Sequence, residues 1–316
     1  FIDKIKRDGN SNIYKLHDDN KESFILKEYP NNQLELKPRL KNELSALNLL
    51  KNFKNVPKLV SFNEELNLII LNYIEGKKIE RITSKNISEA IVFINKLYEL
   101  SKKNNHYHFA TEACLKANDL TSQIDKRLCN LKSVKNKNLT KTLNKLIELN
   151  IKLKNRANEM WPKDNIDKNL GRKFLTFSPS DFGFHNAIML KNNSITFIDF
   201  EYFGLDDPVK LISDFLWHPA MSLSFSQKIL FTRKFLKIFK DDHLLKRRLN
   251  AAFSLYGVRW CLIILNKVIK IHFEAKNLYK NSKLTNFEQN IKLQLMKSNQ
   301  IYNEIVKNKM EFVYDK

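Results

Sequence analysis

The chain has 316 residues, of which 43% are hydrophobic and 11% aromatic, with a formal net charge of +21. That length and apolar content allow a sizeable core in one large domain or two lobes and exclude a disordered chain. The lysines are spread along the sequence and mixed with asparagines, with no glycine-arginine segment, zinc-finger pattern or isolated basic helix, so the charge reads as composition and no nucleic-acid partner is expected. Cys114, Cys129 and Cys261 stand in no metal-ligand spacing and read as free thiols of a reducing cytoplasm. Cys261–Leu265 reads as a short buried-helix segment. No apolar run approaches the length of a membrane span and no signal-like stretch follows a basic start, so no membrane partner is expected.

The first third reads as strands. Ile2–Lys6, Ile13–His17 and Phe24–Tyr29 are short β-type runs separated by the turn formers Asp8-Gly9-Asn10 and Asp18-Asp19-Asn20. A helix is expected from about Leu36 to Phe53, with Leu40, Leu44 and Leu47 at helical spacing. After Pro57, Lys58–Phe62 and Leu66–Tyr73 read as two further strands, and Glu75-Gly76-Lys77 breaks the pattern. The remainder is mainly helical: Ser84–Lys103, Leu115–Ser133, Leu139–Met160, Val209–Trp217 and several helices from Ser226 to Lys309. Lys173–Phe177, Ala187–Leu190 and Ile195–Phe200 interrupt them as short strands. These elements predict an α+β, two-lobed fold: a sheet-rich lobe of residues 1–75 (five strands and one helix) and a helical lobe of residues 76–316, with a cleft between them.

One stretch carries chemistry. In Ser178-Pro179-Ser180-Asp181-Phe182-Gly183-Phe184-His185-Asn186, an aspartate is followed five residues later by an asparagine; Asp199 follows eighteen residues after the first, behind the apolar run Ile195–Ile198. Such a set orients a hydroxyl and holds the metal ions of a nucleoside triphosphate. Asp181 is the candidate base for an acceptor hydroxyl, Asn186 a neutral oxygen ligand for magnesium, and Asp199 an anionic ligand bridging metal and phosphates. The Asn192-Asn193 turn predicts a hairpin that brings Asn186 and Asp199 back together. Lys27, ending the Phe24–Leu26 run, supplies a point charge for the α- and β-phosphates. Glu43, three residues after Leu40 and four before Leu47, lies on the inner helix face, where a carboxylate needs a cationic partner; Lys27 is the natural one. Only Gly9 lies near the first turn, so no glycine-rich cradle exists; Asp8–Asn12, with the Ser11 hydroxyl, is the candidate phosphate loop.

On Lys27, Glu43, the segment Asn72–Gly76, Asp181, Asn186 and Asp199, with Ile198-Asp199-Phe200-Glu201, the chain resembles the aminoglycoside phosphotransferase/choline kinase-like family over nearly its whole length. The resemblance implies a protein-kinase-like fold, ATP bound at Lys27 and at a hinge of Asn72, Tyr73 and Ile74, magnesium on Asn186 and Asp199, and Asp181 as base. The transferred group would be the γ-phosphoryl group, and the acceptor a small-molecule hydroxyl. One position departs from the pattern: Pro179-Ser180-Asp181 stands where the family has His-Gly-Asp, which puts the support of the loop in question, with His185 as the candidate substitute. The resemblance places Glu201 near the acceptor and Asp214 on a helix supporting the loop. A cluster of acids there suits a cationic acceptor, with Trp217, His218, Tyr256, Arg259 and Trp260 as further candidate pocket residues. Aromatic residues at helical spacing also read as core, and Asp206-Asp207-Pro208 reads as a helix start. A kinase-like module that binds nucleotide or a partner without transfer is the alternative function.

Overall fold

The structure is a computed structural model that describes residues 2–6, 11–30, 38–277 and 284–315. Its contacts divide the chain into two compact units: residues 1–111 with 176–205, and residues 112–175 with 206–316. An N-terminal antiparallel sheet and a larger helical C-terminal region are both present, as expected.

In the first unit β1 (Ile2–Lys6), β2 (Asn12–His17), β3 (Ser23–Glu28), β4 (Leu59–Asn63) and β5 (Leu68–Asn72) form one antiparallel sheet in the order β1-β2-β3-β5-β4. The β2–β3 turn is closed where predicted: Asp18 Oδ1 accepts from the Glu22 backbone N–H at 2.7 Å, and Lys21 takes φ 64°. The other expected turn, Asp8-Gly9-Asn10, lies outside the described residues. Between β3 and β4 runs α1 (Arg39–Leu49), which starts directly after Pro38; the expected start at Leu36 also lies outside the described residues. The helix stops at Leu49 rather than Phe53 because the chain tightens into turns, Lys51 N–H on Asn48 O and Phe53 N–H on Leu50 O. Strand β5 begins at Leu68 rather than Leu66, since Asn67 takes φ 55° to close the turn from β4.

Instead of a break, Gly76 leads into β6 (Lys77–Lys78); a Cβ at Gly76 would stand 2.5 Å from Met189 O, so only glycine allows this approach. Helix α2 (Ser84–Lys103) begins in a capping box on Thr83. The expected strand Lys173–Phe177 is a 3-10 turn over Arg172–Phe174, followed by β7 (Thr176–Ser178). Strands β8 (Ala187–Met189) and β9 (Ile195–Phe197) form the predicted hairpin and join β6 in a small sheet ordered β6-β8-β9. Strand β9 stops short of Phe200 because Asp199 takes φ 72°, which no ladder accommodates. Strand β10 (Gly204–Asp206), not expected, pairs with β7. Phe93 of α2 stacks on Phe197 at 4.6 Å and on Phe182 at 5.8 Å, and Phe197 N–H donates to Asn55 O at 3.0 Å. These ties place residues 76–111 and 176–205 with the sheet, so the contacts draw their boundary elsewhere than at residue 75.

The second unit holds α3 (Ala117–Lys132), α4 (Lys137–Met160), α5 (Pro208–Trp217), α6 (Phe225–Ile238), α7 (Leu245–Asn277) and α8 (Leu284–Lys307), with α7 packed against α3, α4, α5 and α8. Asp207 caps α5 as predicted, its Oδ1 accepting from Val209 N–H at 2.9 Å with Pro208 in the first turn. One expectation is corrected here. The stretch Leu245–His272 is long and apolar enough to cross a membrane by length and composition, because what read as a short segment at Cys261–Leu265 is part of one continuous helix. Of its most apolar window, 78% is buried within the protein, which is how a central core helix passes the same test.

All three cysteines are free, as expected. Burial pushes the Cys114 and Cys261 thiols up to about 12, whereas Cys129 is exposed. Thiolate is the reactive form. One thiol should therefore react promptly with an aromatic disulfide reagent at neutral pH, and all three in denaturant; Cys129→Ser should remove the prompt phase.

Candidate functional site

Strand β3 lies between β2 and β5, with Lys27 opposite Ile69. This central position buries the lysine, which is 4% exposed. Its Nζ lies 2.5 Å from Glu43 Oε2, 2.7 Å from Asp199 Oδ1 and 3.6 Å from Glu201 Oε2. Glu43 sits on the inner face of α1 with Leu40 and Leu47, as its spacing predicts. Its Oε2 also accepts from the Tyr29 hydroxyl, and its Oε1 from the Phe200 backbone N–H at 3.4 Å. Burial works against the Lys27 ammonium, but Asp199, Glu43, Tyr29 and Glu201 outweigh it and hold its pKa above the ordinary lysine range. Burial pushes Glu43 up; Lys27 opposes this and Asp199 adds to it. Oxygens of Glu43, Asp199 and Glu201 lie within 4.8 Å of one another, a set able to hold a cation, and the Lys27 ammonium contacts all three.

Asp181 follows β7 through a three-residue turn. Its N–H donates to Pro179 O at 2.8 Å, while Ser180 takes φ 64° and donates its own N–H to Ser178 Oγ at 3.0 Å. The Asn186 amide nitrogen donates to Asp181 O at 2.9 Å and to Asp181 Oδ2 at 3.2 Å. His185 Nε2 lies 3.1 Å from Asp181 Oδ1. The hairpin brings the second carboxylate back: Ile198 N–H donates to Asn186 O at 2.9 Å, so Asp199 follows directly beside Asn186. Ser180 and Asp199 are both non-glycine residues held at positive φ, the kind of strain that persists where the surroundings over-determine it.

A cavity of about 450 Å³ within the first unit is lined by Lys27, Glu43, Asn72, Tyr73, Ile74, Asn186 and Asp199. Ile13, Ile25, Leu71, Ile188 and Ile198 give it apolar walls, and Lys27, Glu43 and Asp199 add charge to the lining. Asp181 adjoins it through Asn186. The Ser11 hydroxyl donates to Glu201 Oε2 at 3.4 Å rather than lining the cavity; Asp8–Asn10 lie outside the described residues. A second cavity of about 220 Å³, beside Pro38 and Arg39, is lined by none of the expected site residues. Sequence reasoning missed Tyr29, whose one available signal was its position two residues after Lys27, on the same face of the chain.

The remaining candidates lie in the second unit, apart from Glu201. Asp214 Oδ1 accepts from Arg259 at 3.0 Å and from Trp260 Nε1 at 2.8 Å, and its Oδ2 lies 3.2 Å from Lys210 Nζ. Arg259 also bonds Gln123 and Glu112. Trp217 is buried and donates to Phe253 O at 2.8 Å; the His218 ring meets Trp260 edge-on at 4.6 Å. Tyr256 is buried. Asp206, the other half of the predicted helix start, lies 3.1 Å from Lys210.

No protein-family model and no curated protein matches the sequence. Solved structures do. Choline kinase from Cryptosporidium parvum Iowa II matches 98% of this chain and 90% of its own at 14% identity, with a TM-score of 0.58. An amicoumacin kinase in complex with AMP-PNP, Ca2+ and Ami matches 96% and 88% at 13% identity and 0.57. The gentamicin complex of APH(2")-IIa matches 95% and 91% at 15% identity and 0.54. The chain has the protein-kinase-like fold of these small-molecule kinases.

Proposed function

We propose that the chain is an ATP- and magnesium-dependent kinase that transfers the γ-phosphoryl group to a hydroxyl of a sugar, amino sugar or amino alcohol. The observation that carries this reading is the convergence, around one cavity, of the Lys27–Glu43–Asp199 ion pairs and the Asp181–Asn186 hydrogen bonds. In this reading the apolar walls take the purine beside Asn72, Tyr73 and Ile74, and Lys27 lies against the α- and β-phosphates. Asp181 accepts the proton as the acceptor oxygen bonds to the γ-phosphorus and the bond to the departing ADP oxygen breaks. Asn186 and Asp199 offer the neutral and anionic oxygen donors that suit magnesium, with Asp199 beside Asn186 in the hairpin. Magnesium held there would neutralise charge on the phosphates. Choline, gentamicin and the Ami ligand of the neighbours suggest amino-bearing alcohols as the first acceptors to try. The free thiols suit a cytoplasmic enzyme.

The alternative, a module that binds nucleotide without transferring phosphate, draws on Pro179 and the strained turn at Ser180. The two readings part in one experiment: thermal unfolding with Mg·ATP, then a screen of hydroxylated metabolites and amino sugars for ADP release. A kinase gives a thermal shift and acceptor-dependent ADP; a shift with no ADP on any acceptor leaves the module; no shift overturns both.

A further inference from the structure

Resting on that reading, we infer that His185 is the positioning residue of Asp181, fixing the carboxylate from downstream where the loop carries Pro179 and no histidine upstream. A base aligned on an acceptor oxygen must keep one carboxylate orientation, and two free torsions oppose this. Here donors meet both oxygens: the Asn186 amide nitrogen at Oδ2, 3.2 Å, and His185 Nε2 at Oδ1, 3.1 Å. Each blocks rotation toward the other. The neutral imidazole serves as well as the charged one, because only an Nε2–H is needed.

The histidine is itself held. It lies in the 3-10 turn Phe184–Asn186, between residues whose own side chains are anchored. Phe184 is buried, and Phe182 is buried against Phe197 at 4.9 Å and Phe93 at 5.8 Å. The imidazole side chain is 17% exposed, so it is held on most sides by protein, while the Asp181 carboxylate it meets is 38% exposed and open to an acceptor. The loop needs such a hold, because its turn runs through Ser180 at φ 64°, a left-handed conformation that a serine keeps only where its surroundings impose it. Histidine next to the metal-binding asparagine thus does for the base, from four residues downstream, what an upstream side chain could do from the other side.

The test uses the full chain with the acceptor found by the screen, and Mg·ATP hydrolysis by water as the reaction if none is found. His185→Ala should lower kcat about a hundredfold with the KM for ATP within about twofold, since only the alignment of the base is lost. His185→Gln, whose amide nitrogen reaches as far as Nε2, should restore kcat to within about threefold. An unchanged kcat in His185→Ala, or no recovery in a folded His185→Gln, overturns the proposal. A readout independent of turnover separates it from the kinase reading. With 15N-labelled histidine, the His185 Nε2 proton should give a slowly exchanging signal that Asp181→Ala removes. If that signal is seen but no ATP turns over, the kinase reading fails and the pairing stands; if the signal is missing in the wild type, the positioning role fails.

Discussion

Replacing Asp199 by asparagine is expected to lower phosphoryl transfer by about a thousandfold while leaving a folded protein. Of the two carboxylates among the described residues that line the cavity, Asp199 is the more exposed, 27% of its side chain against 1% for Glu43. Its charge supports two contacts in sequence: the Lys27 ammonium at 2.7 Å, and in the proposed mechanism the metal ion on the triphosphate. Asparagine keeps the shape and an acceptor oxygen for Lys27 and tolerates φ 72°, but has no charge to give the metal. Alanine loses the same activity and is in addition strained at this left-handed position, by about 1 kcal/mol. Steady-state ADP release and thermal unfolding of both variants measure this. Full turnover in Asp199→Asn would sink the assignment, whereas equal stability of the two variants would mean that the backbone relaxes there.

The reason Asp199 was visible in the sequence is local. Asp181, Asn186 and Asp199 lie on one loop and one hairpin, so spacing alone nearly fixes their geometry, and the Ile198–Asn186 hydrogen bond closes it. Glu43 was legible because a carboxylate in phase with Leu40 and Leu47 has to face inward. Lys27 was less so: with 55 lysines and arginines in the chain, its place at the end of an apolar strand singled it out only together with an inward Glu43 that needs a cation. What stayed hidden depends on contacts between distant segments. The hydroxyl of Tyr29 finds Glu43 fourteen residues away, and Gly76 is required by Met189, far along the chain. Asp214, Arg259 and Trp260 are a further case: their polar atoms bond to one another and to Gln123 and Glu112, partners that no spacing announces.

Lys27→Met should separate stability from chemistry at the same centre. The methionine fits the stem of the lysine but leaves Glu43, 1% exposed, with the Tyr29 and Phe200 donors and two further carboxylates alongside. Breaking a buried pair from one side in this way costs about 3 kcal/mol. Glu43→Gln is milder, because Lys27 keeps Asp199 and Glu201 as partners and the amide still fills the site; about 1 kcal/mol is expected. The double variant should then be more stable than Lys27→Met alone, since it no longer buries an uncompensated carboxylate at Glu43, and the cycle should return a coupling energy of about 1–2 kcal/mol. Turnover should not follow. In the proposed mechanism the phosphates lose their fixed charge without the ammonium, so the double variant should stay as inactive as Lys27→Met. The sign with pH is a further check. A lysine whose pKa is raised on folding contributes stability that is fully present below its ordinary value of about 10.4 and is lost only as pH rises through the raised one. Lys27 itself should therefore add no pH dependence to the gap between wild type and Lys27→Met from about pH 7 to pH 9, and its share should be lost only in strong alkali; any widening of the gap with rising pH below that comes from Glu43, whose carboxyl burial pushes up and Lys27 no longer pulls down. Denaturant unfolding reads each of these; a double variant no more stable than Lys27→Met would mean that Asp199 and Glu201, rather than Glu43, hold the lysine in place.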